Sequence, residues 1–370
     1  MRRKKERTAE RFLPGPTRIT FKSLLVAVRL VLKFGIGGRN AFSNTVVYED
    51  AVEVARKAEE LGFNYIWISD HEFNRETYVL ITACALNTKK VTLGSGMTNP
   101  YTRHPVVTAA AMATCDEVAK GRCVLGIATG NPNQLLKPLG FDTSGRLERL
   151  RETIQVVRQA WQGQILNYDG KFLHIHNVKL GFKSRANIPI YIAASNSKTL
   201  ELCGEVADGV VIISNKHSKI FRNKMEIVLR SAKRSNRDAS KIDMVAWIPV
   251  MFSKENNAAV PIELKILVAN TMQSYTDEDL DQMGIAKDLV ASIRNAYRIN
   301  ARKAADLVPD NIVSSFVFMG KPDQIVEEIR LLGNSGAMQA NVWVIPQDKE
   351  RKMELLELFS RSVIRQLSAE

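Results

Sequence analysis

From Lys33 onward, short apolar runs alternate with longer amphipathic stretches. Runs at Lys33–Gly37, Tyr65–Ile68, Val91–Leu93, Cys123–Ile127, Ile190–Ala193, Gly209–Ile213, Ile242–Phe252 and Asn341–Ile345 read as strands. Between them, residues 48–62, 76–88, 105–119, 145–161, 197–207, 216–234, 322–333 and 349–366 read as helices, the first closed by a capping Gly62. The segment ILNYDGKFLHI (165–175) predicts a hairpin turning at Asp169-Gly170. Residues 256–308 break the rhythm and read as mostly helical, within an insertion spanning about 253–315. The strands show apolar runs rather than strict alternation, as expected where both faces are covered. Eight strand–helix units predict a closed (β/α)8 TIM barrel over residues 33–370 as one domain. Gly35, Gly37 and Gly38 do not complete a G-x-G-x-x-G fingerprint, which argues against a dinucleotide-binding open sheet.

Charge changes this picture only at the start of the chain. The net charge is +13, but residues 1–32 hold nine Lys/Arg and two Glu. The remainder carries 43 basic and 37 acidic residues, a mixed solvated surface, so nucleic-acid binding is not expected. Arg29 interrupts the apolar stretch Leu24–Leu32, and no small-residue cleavage site follows it. Residues 1–32 therefore read as a basic extension ahead of the barrel, or as the product of a start placed too far upstream. No segment reaches membrane-spanning length, and the expected setting is cytoplasmic, with no membrane partner. Cys84, Cys115, Cys123 and Cys203 form no CxxC pair and lie in or next to apolar stretches, so buried free thiols are expected and no metal site. His174 and His176 share one face of the hairpin, but with no third ligand in view they read as solvent-facing.

In such a barrel the chemistry lies at the carboxyl ends of the strands. The second strand runs into WISDH, leaving Asp70 and His71 at the rim; histidine titrates nearest neutrality and suits proton transfer, and Asp70 can orient it or hold a substrate donor. The third strand runs into GSGMTNPYTRHP (94–105), where Gly94 and Gly96 allow a bulge and two X-Pro steps stiffen the turn. The fourth ends in GIATGNPNQ, with Gly130 and Asn131 at the rim. The fifth passes through Ala193, Ala194, Ser195, Asn196 and Ser197 into a helix, a place for a phosphate or for simple capping by Ser195 or Ser197. Lys216 follows the sixth strand and can add a cation there, and one of Arg146, Arg149 and Arg151 can turn inward.

Together, WISDH, GSGMTNPYTRHP, GRLERLRETI, IPIYIAAS and ADGVVI resemble the bacterial luciferase-like superfamily. Within it the chain is most similar to the coenzyme F420-dependent branch, which includes 5,10-methylenetetrahydromethanopterin reductase. That resemblance implies a deazaflavin lying across the strand ends, its ring on a bulge at the third strand with a cis Gly96-Met97 peptide. It places Asp70 and His71 near ring and substrate, and Asn131 at a catalytic position. Gly96, Met97, Thr98 and Asn99 then contact the ring, while Ala194, Ser195, Asn196 and Ser197 surround the phosphate. Two departures stand out: Gly37-Gly38-Arg39 where the reductases tend to carry an acid, and Asn131 where they tend to carry a carboxylate. Asparagine cannot donate a proton as a carboxylic acid does.

The expectation is an F420-dependent oxidoreductase moving hydride to or from a small-molecule organic substrate, as a homodimer or homotetramer. The rival readings are an FMN-dependent monooxygenase of the same superfamily and a barrel that binds cofactor without catalysis.

Overall fold

The structure is a computed structural model and describes residues 32–38, 41–42, 47–71, 73–253, 260–346 and 348–369. The basic extension lies outside these residues up to Val31, as does Arg39. Eight strands form the ring: β1 (Lys33–Gly37), β2 (Tyr65–Ile68), β3 (Thr92–Ser95), β4 (Cys123–Ile127), β5 (Ile190–Ala193), β6 (Gly209–Ile213), β7 (Asp243–Phe252) and β8 (Gln339–Trp343). Each pairs in parallel with its neighbours, and β8 closes on β1 with Lys33 opposite Gln339 and Gly37 opposite Trp343. The expected TIM barrel is therefore present. Its flanking helices are α1 (Tyr48–Glu60), α2 (Thr77–Asn87), α3 (Pro105–Val118), α4 (Arg146–Trp161), α5 (Ser197–Val206), α6 (Ser218–Arg234), α7 (Pro322–Asn334) and α8 (Lys349–Phe359).

The alternation within each strand divides two cores. In β1, Phe34 and Ile36 are buried, as are Ala51, Val54, Ala55 and Ala58 of α1. Inside the ring, Trp67, Val124, Tyr191, Val211, Val245 and Trp247 form a second buried cluster. This lumen also takes polar groups: Gln339 is fully buried and its Oε1 accepts from the Trp67 indole at 3.2 Å. That explains why β8 begins two residues before the apolar run that predicted it. Likewise β3 continues through Gly94 and Ser95, opposite Trp67 and Ile68, where the glycines had suggested an end. A further short strand, Phe318–Gly320, pairs in parallel with the far end of β7.

The hairpin strands are Leu166–Asp169 and His174–Val178, with a wider turn than the two-residue one expected. Its shape follows from Glu152 of α4, which is buried and accepts from the backbone N–H groups of Lys171 at 2.7 Å and of Phe172 and Leu173 at 3.0 Å. Glu152→Gln halves the acceptor capacity and removes the charge. It is expected to cost about 1–3 kcal/mol, with faster amide exchange at residues 171–173 as the check. His174 and His176 are exposed, but Asp169 Oδ1 lies 3.2 and 3.5 Å from their ring nitrogens, a neighbour that the sequence reading missed. Among the described residues no group of three such side chains has the arrangement to hold a metal.

The insertion forms helices between Ile262 and Phe316 around its own apolar core of Leu264, Val268, Met272, Tyr275, Ile293 and Val313. It is pinned to the barrel by Lys224 of α6, whose Nζ lies 2.8 Å from Asp279 and 4.6 Å from the Tyr275 ring centre. The Tyr275 hydroxyl in turn donates to the carbonyl of Ile213 at 2.9 Å. All four cysteines are buried and free, as expected. Burial pushes the Cys84 thiol up to about 12 and raises those of Cys115, Cys123 and Cys203 as well. Among the described residues no helix is long and apolar enough to cross a membrane.

Candidate active site at the carboxyl rim

Because all eight strands run the same way, the segments following β2, β3, β4 and β5 gather at one end of the ring. The shelf after β3 is the most constrained of them. Ser95 Oγ donates to the Gly126 carbonyl at 2.8 Å and accepts from its N–H at 3.0 Å. The strand then bulges: Gly96 N–H donates back to Ile68, the Gly96–Met97 peptide is cis, and pairing with β4 resumes at Thr98, whose N–H donates to Gly126. Glycine is required at Gly126, and the packing leaves little room for a side chain at Gly96. A Cβ on Gly126 would lie 2.0 Å from the Ser95 carbonyl and 2.7 Å from Met97 Sδ; one on Gly96 would lie 3.0 Å from Trp67 and 3.2 Å from Trp247. The result is a backbone ledge backed by the Trp67 and Trp247 indoles, with Trp343 packed edge-on against Trp247.

Gly96 and Met97 are partly exposed on this ledge, whereas Thr98 and Asn99 are buried. Asn99 Oδ1 accepts from the N–H groups of Tyr101 and Thr102, so its side chain builds the following turn. Both side chains are enclosed by the protein, so what these two residues offer at the ledge is chiefly their backbone.

At the end of β2, His71 is half-buried, its ring 5.9 Å from that of Phe73 in an edge-on pose. Asp70 is different. Its side chain is only 2% exposed, and its oxygens accept from the Arg103 guanidinium at 2.5 and 3.1 Å. Asp70 is therefore tied to the loop after β3 through Arg103, with its side chain almost fully enclosed.

At the end of β4, Asn131 Oδ1 accepts from Asn133 and Gln134 N–H groups at 3.0 Å and caps a wide helical turn, Pro132–Leu136. Gln134 then donates to Asn270 at 3.2 Å and to Tyr297 at 2.6 Å, both on the insertion. Asn131 thus shapes the turn from which Gln134 reaches the insertion. Arg146 is the inward-turning arginine, donating to the Gly130 carbonyl at 3.0 Å, and Arg149 lies between the rings of Tyr101 and Phe172.

After β5, Ala194 is buried, Ser195 half-buried, and Asn196 and Ser197 exposed. Neither serine caps α5; Asn196 does, accepting from Thr199 N–H at 3.0 Å. Lys216 does not join this group as a free cation, because its Nζ pairs with Glu328 at 2.7 Å. Burial raises the Glu328 carboxyl, and that lysine works against the rise. Two surface hollows lie away from the rim. One is on the α2–α3 face beside Val79 and Leu86, the other at the opposite end of the barrel beside Lys33 and Tyr65.

The sequence reading had passed over Arg103, Gln134 and Trp247. Arg103 sat inside the motif TNPYTRHP, but its partner Asp70 lies 33 residues earlier, so nothing in the sequence paired them.

A model of the luciferase-like monooxygenase family matches residues 30–339. The chain belongs to that family. It is 32% identical to a 5,10-methylenetetrahydromethanopterin reductase of Archaeoglobus fulgidus, over 88% of this chain and 97% of the relative. It is 25% identical to an F420-dependent glucose-6-phosphate dehydrogenase of Amycolatopsis mediterranei, over 86% of this chain and 95% of the relative. Among solved structures, the coenzyme F420-dependent tetrahydromethanopterin reductase of Methanopyrus kandleri superposes with a TM-score of 0.78 at 29% identity, covering 91% of this chain and 99% of the other.

Proposed function

We propose that the chain is a coenzyme F420-dependent oxidoreductase that moves hydride between the deazaflavin and a small organic substrate. The observation that carries this is the Gly96–Met97 ledge, partly exposed and backed by Trp67 and Trp247, where any side chain at Gly96 would crowd the indoles. Strands β3, β4 and β5 are consecutive, so the ledge and Ser195–Ser197 stand two strand spacings apart, roughly 10 Å. That separation suits a flat ring at one site and the phosphate of its side chain at the other, and the residues present fit the group. Gly96 and Met97 would support the ring; Ala194, Ser195, Asn196 and Ser197 would hold the phosphate at the start of α5. When bound, F420 supplies or accepts hydride at C5 of its ring.

The protein's own part is to hold substrate and ring face to face, which removes much of the entropic barrier. His71 handles the proton through Nε2, since its Nδ1 is buried. Asp70 and Asn131 act behind it by holding their loops. The reductase relatives favour a pterin-borne one-carbon unit as substrate. We read the enzyme as a cytoplasmic homodimer or homotetramer. In support, α2 carries no charged residue and leaves Val79 and Leu86 exposed.

Optical titration of the purified full chain with F420 and with FMN tests the cofactor. Tight F420 binding followed by reversible bleaching with substrate is expected. Binding of FMN alone overturns the reading in favour of a flavin monooxygenase. F420 bound without any hydride exchange points to a non-catalytic barrel.

A further inference from the structure

Two rim segments must be held in register for this chemistry: the end of β2 that carries His71, and the ledge after β3. The ledge is fixed by backbone bonds to Ile68 and Gly126. The β2 end has a different anchor. Arg103, from the loop between β3 and α3, places its guanidinium against two carboxylates of the β2–α2 connection and a ring in the first turn of α2. Nη1 and Nη2 reach the two oxygens of Asp70, Nη2 also reaches Glu76 Oε1 at 2.7 Å, and the guanidinium carbon lies 5.1 Å from the centre of the Tyr78 ring. Glu76 is itself the cap of α2, its other oxygen accepting from Val79 N–H at 2.9 Å. Arg103 is set in turn by the Asn99 turn before it and by Pro105 at the start of α3.

We propose that Arg103 is a positioning residue that locks the His71-bearing end of β2 against the Gly96–Met97 ledge. One side chain on the ledge loop grips the residue immediately before His71 and the cap five residues after it. A planar fork is needed for this. Arginine offers two parallel donors to Asp70 and a further contact to Glu76, whereas lysine is a single point charge that cannot serve both carboxylates in the same geometry. The pair is also sheltered: the Asp70 side chain is 2% exposed and that of Arg103 is 19% exposed. Loss of the guanidinium leaves a buried carboxylate beside His71 that must find water or move. The connection would then shift relative to the ledge. A small misplacement at a hydride-transfer site is costly, on the order of 100-fold for about 1 Å.

This proposal rests on the oxidoreductase reading for its effect on rate, but not for its effect on His71 itself. The test compares the full-length wild-type chain with Arg103→Lys, Arg103→Gln and the double variant Asp70→Asn/Arg103→Gln. The His71 ring resonances and the Met97 methyl resonance are read by NMR without cofactor. F420 affinity is then titrated, and turnover is measured with 5,10-methylenetetrahydromethanopterin.

Arg103→Gln is expected to move the His71 resonances while leaving the Met97 methyl in place. F420 affinity should stay within about threefold, and turnover should fall by roughly 10–100-fold. Arg103→Lys should recover part of the turnover. The double variant, which buries no unpaired charge, should fold like wild type yet stay slow. Unmoved His71 resonances in both glutamine-bearing variants overturn the proposal. So does a loss of F420 affinity as large as the loss of turnover, which would mark a general loosening of the rim. If F420 does not bind at all, the functional reading fails, and the His71 resonances still decide whether Arg103 positions that residue.

Discussion

Asp279→Ala is expected to destabilise the protein by about 3–5 kcal/mol, the usual cost of removing one partner from a buried ion pair. Asp279 and Lys224 have side chains only 11% and 6% exposed, and their contact is 2.8 Å. The alanine leaves an ammonium group in an apolar setting, with the Tyr275 ring as its remaining neighbour. It also breaks the cap in which Asp279 and Thr276 exchange hydrogen bonds at the start of the short helix Asp277–Gln282. Chemical denaturation followed by circular dichroism measures the effect. The double variant Lys224→Met/Asp279→Leu removes both charges and should regain most of the loss, because well-packed apolar groups replace a buried pair at little cost. A double variant as unstable as the single one would show that the cap, not the charge, carries the energy.

His71→Ala is the second large effect, and it falls on rate. Proton transfer by a placed side chain contributes typically 10²–10⁴-fold, so turnover should drop by about that factor. The ledge and the start of α5 are untouched by this change, so F420 affinity should remain measurable and close to wild type. Steady-state rates beside an optical cofactor titration separate the two. Unchanged turnover would remove His71 from the mechanism and move attention to groups on the insertion, such as Tyr297.

The two replacements probe parts of the molecule that were unequally visible in the sequence. Strands such as Ile190–Ala193 and Gly209–Ile213 stood out because residues buried on both faces leave an unbroken apolar run. Gln339 did not stand out, because its polar side chain is satisfied inside the ring by Trp67, a partner far away in sequence. Gly94 and Gly96 read as strand-end residues that allow a bulge; Gly96 lies at that bulge, whereas Gly94 lies within the strand. The rim segments SDH and TNPYTRHP were correctly located at strand ends, but the task of each residue was not legible. Asn99, Asn131 and Asn196 all bind nearby backbone N–H groups. An asparagine that caps a turn and one that grips a ligand look identical in sequence, since the same oxygen serves both. Asp70 posed the same ambiguity, and its partner Arg103 lies across the gap between two loops, out of reach of any sequence pattern.

The ring has a consequence for how the chain is made. β1 completes its pairing only with β8, Lys33 opposite Gln339, so the first strand to leave the ribosome waits for the last. Until then β1 offers an open edge of unpaired peptide groups, the kind of template on which foreign strands add. Long-range parallel pairing of this kind is slow to form. A chain cut short before Gln339 would keep seven of its eight ring strands and still carry two unsealed borders, which makes the last few dozen residues decisive for solubility during synthesis.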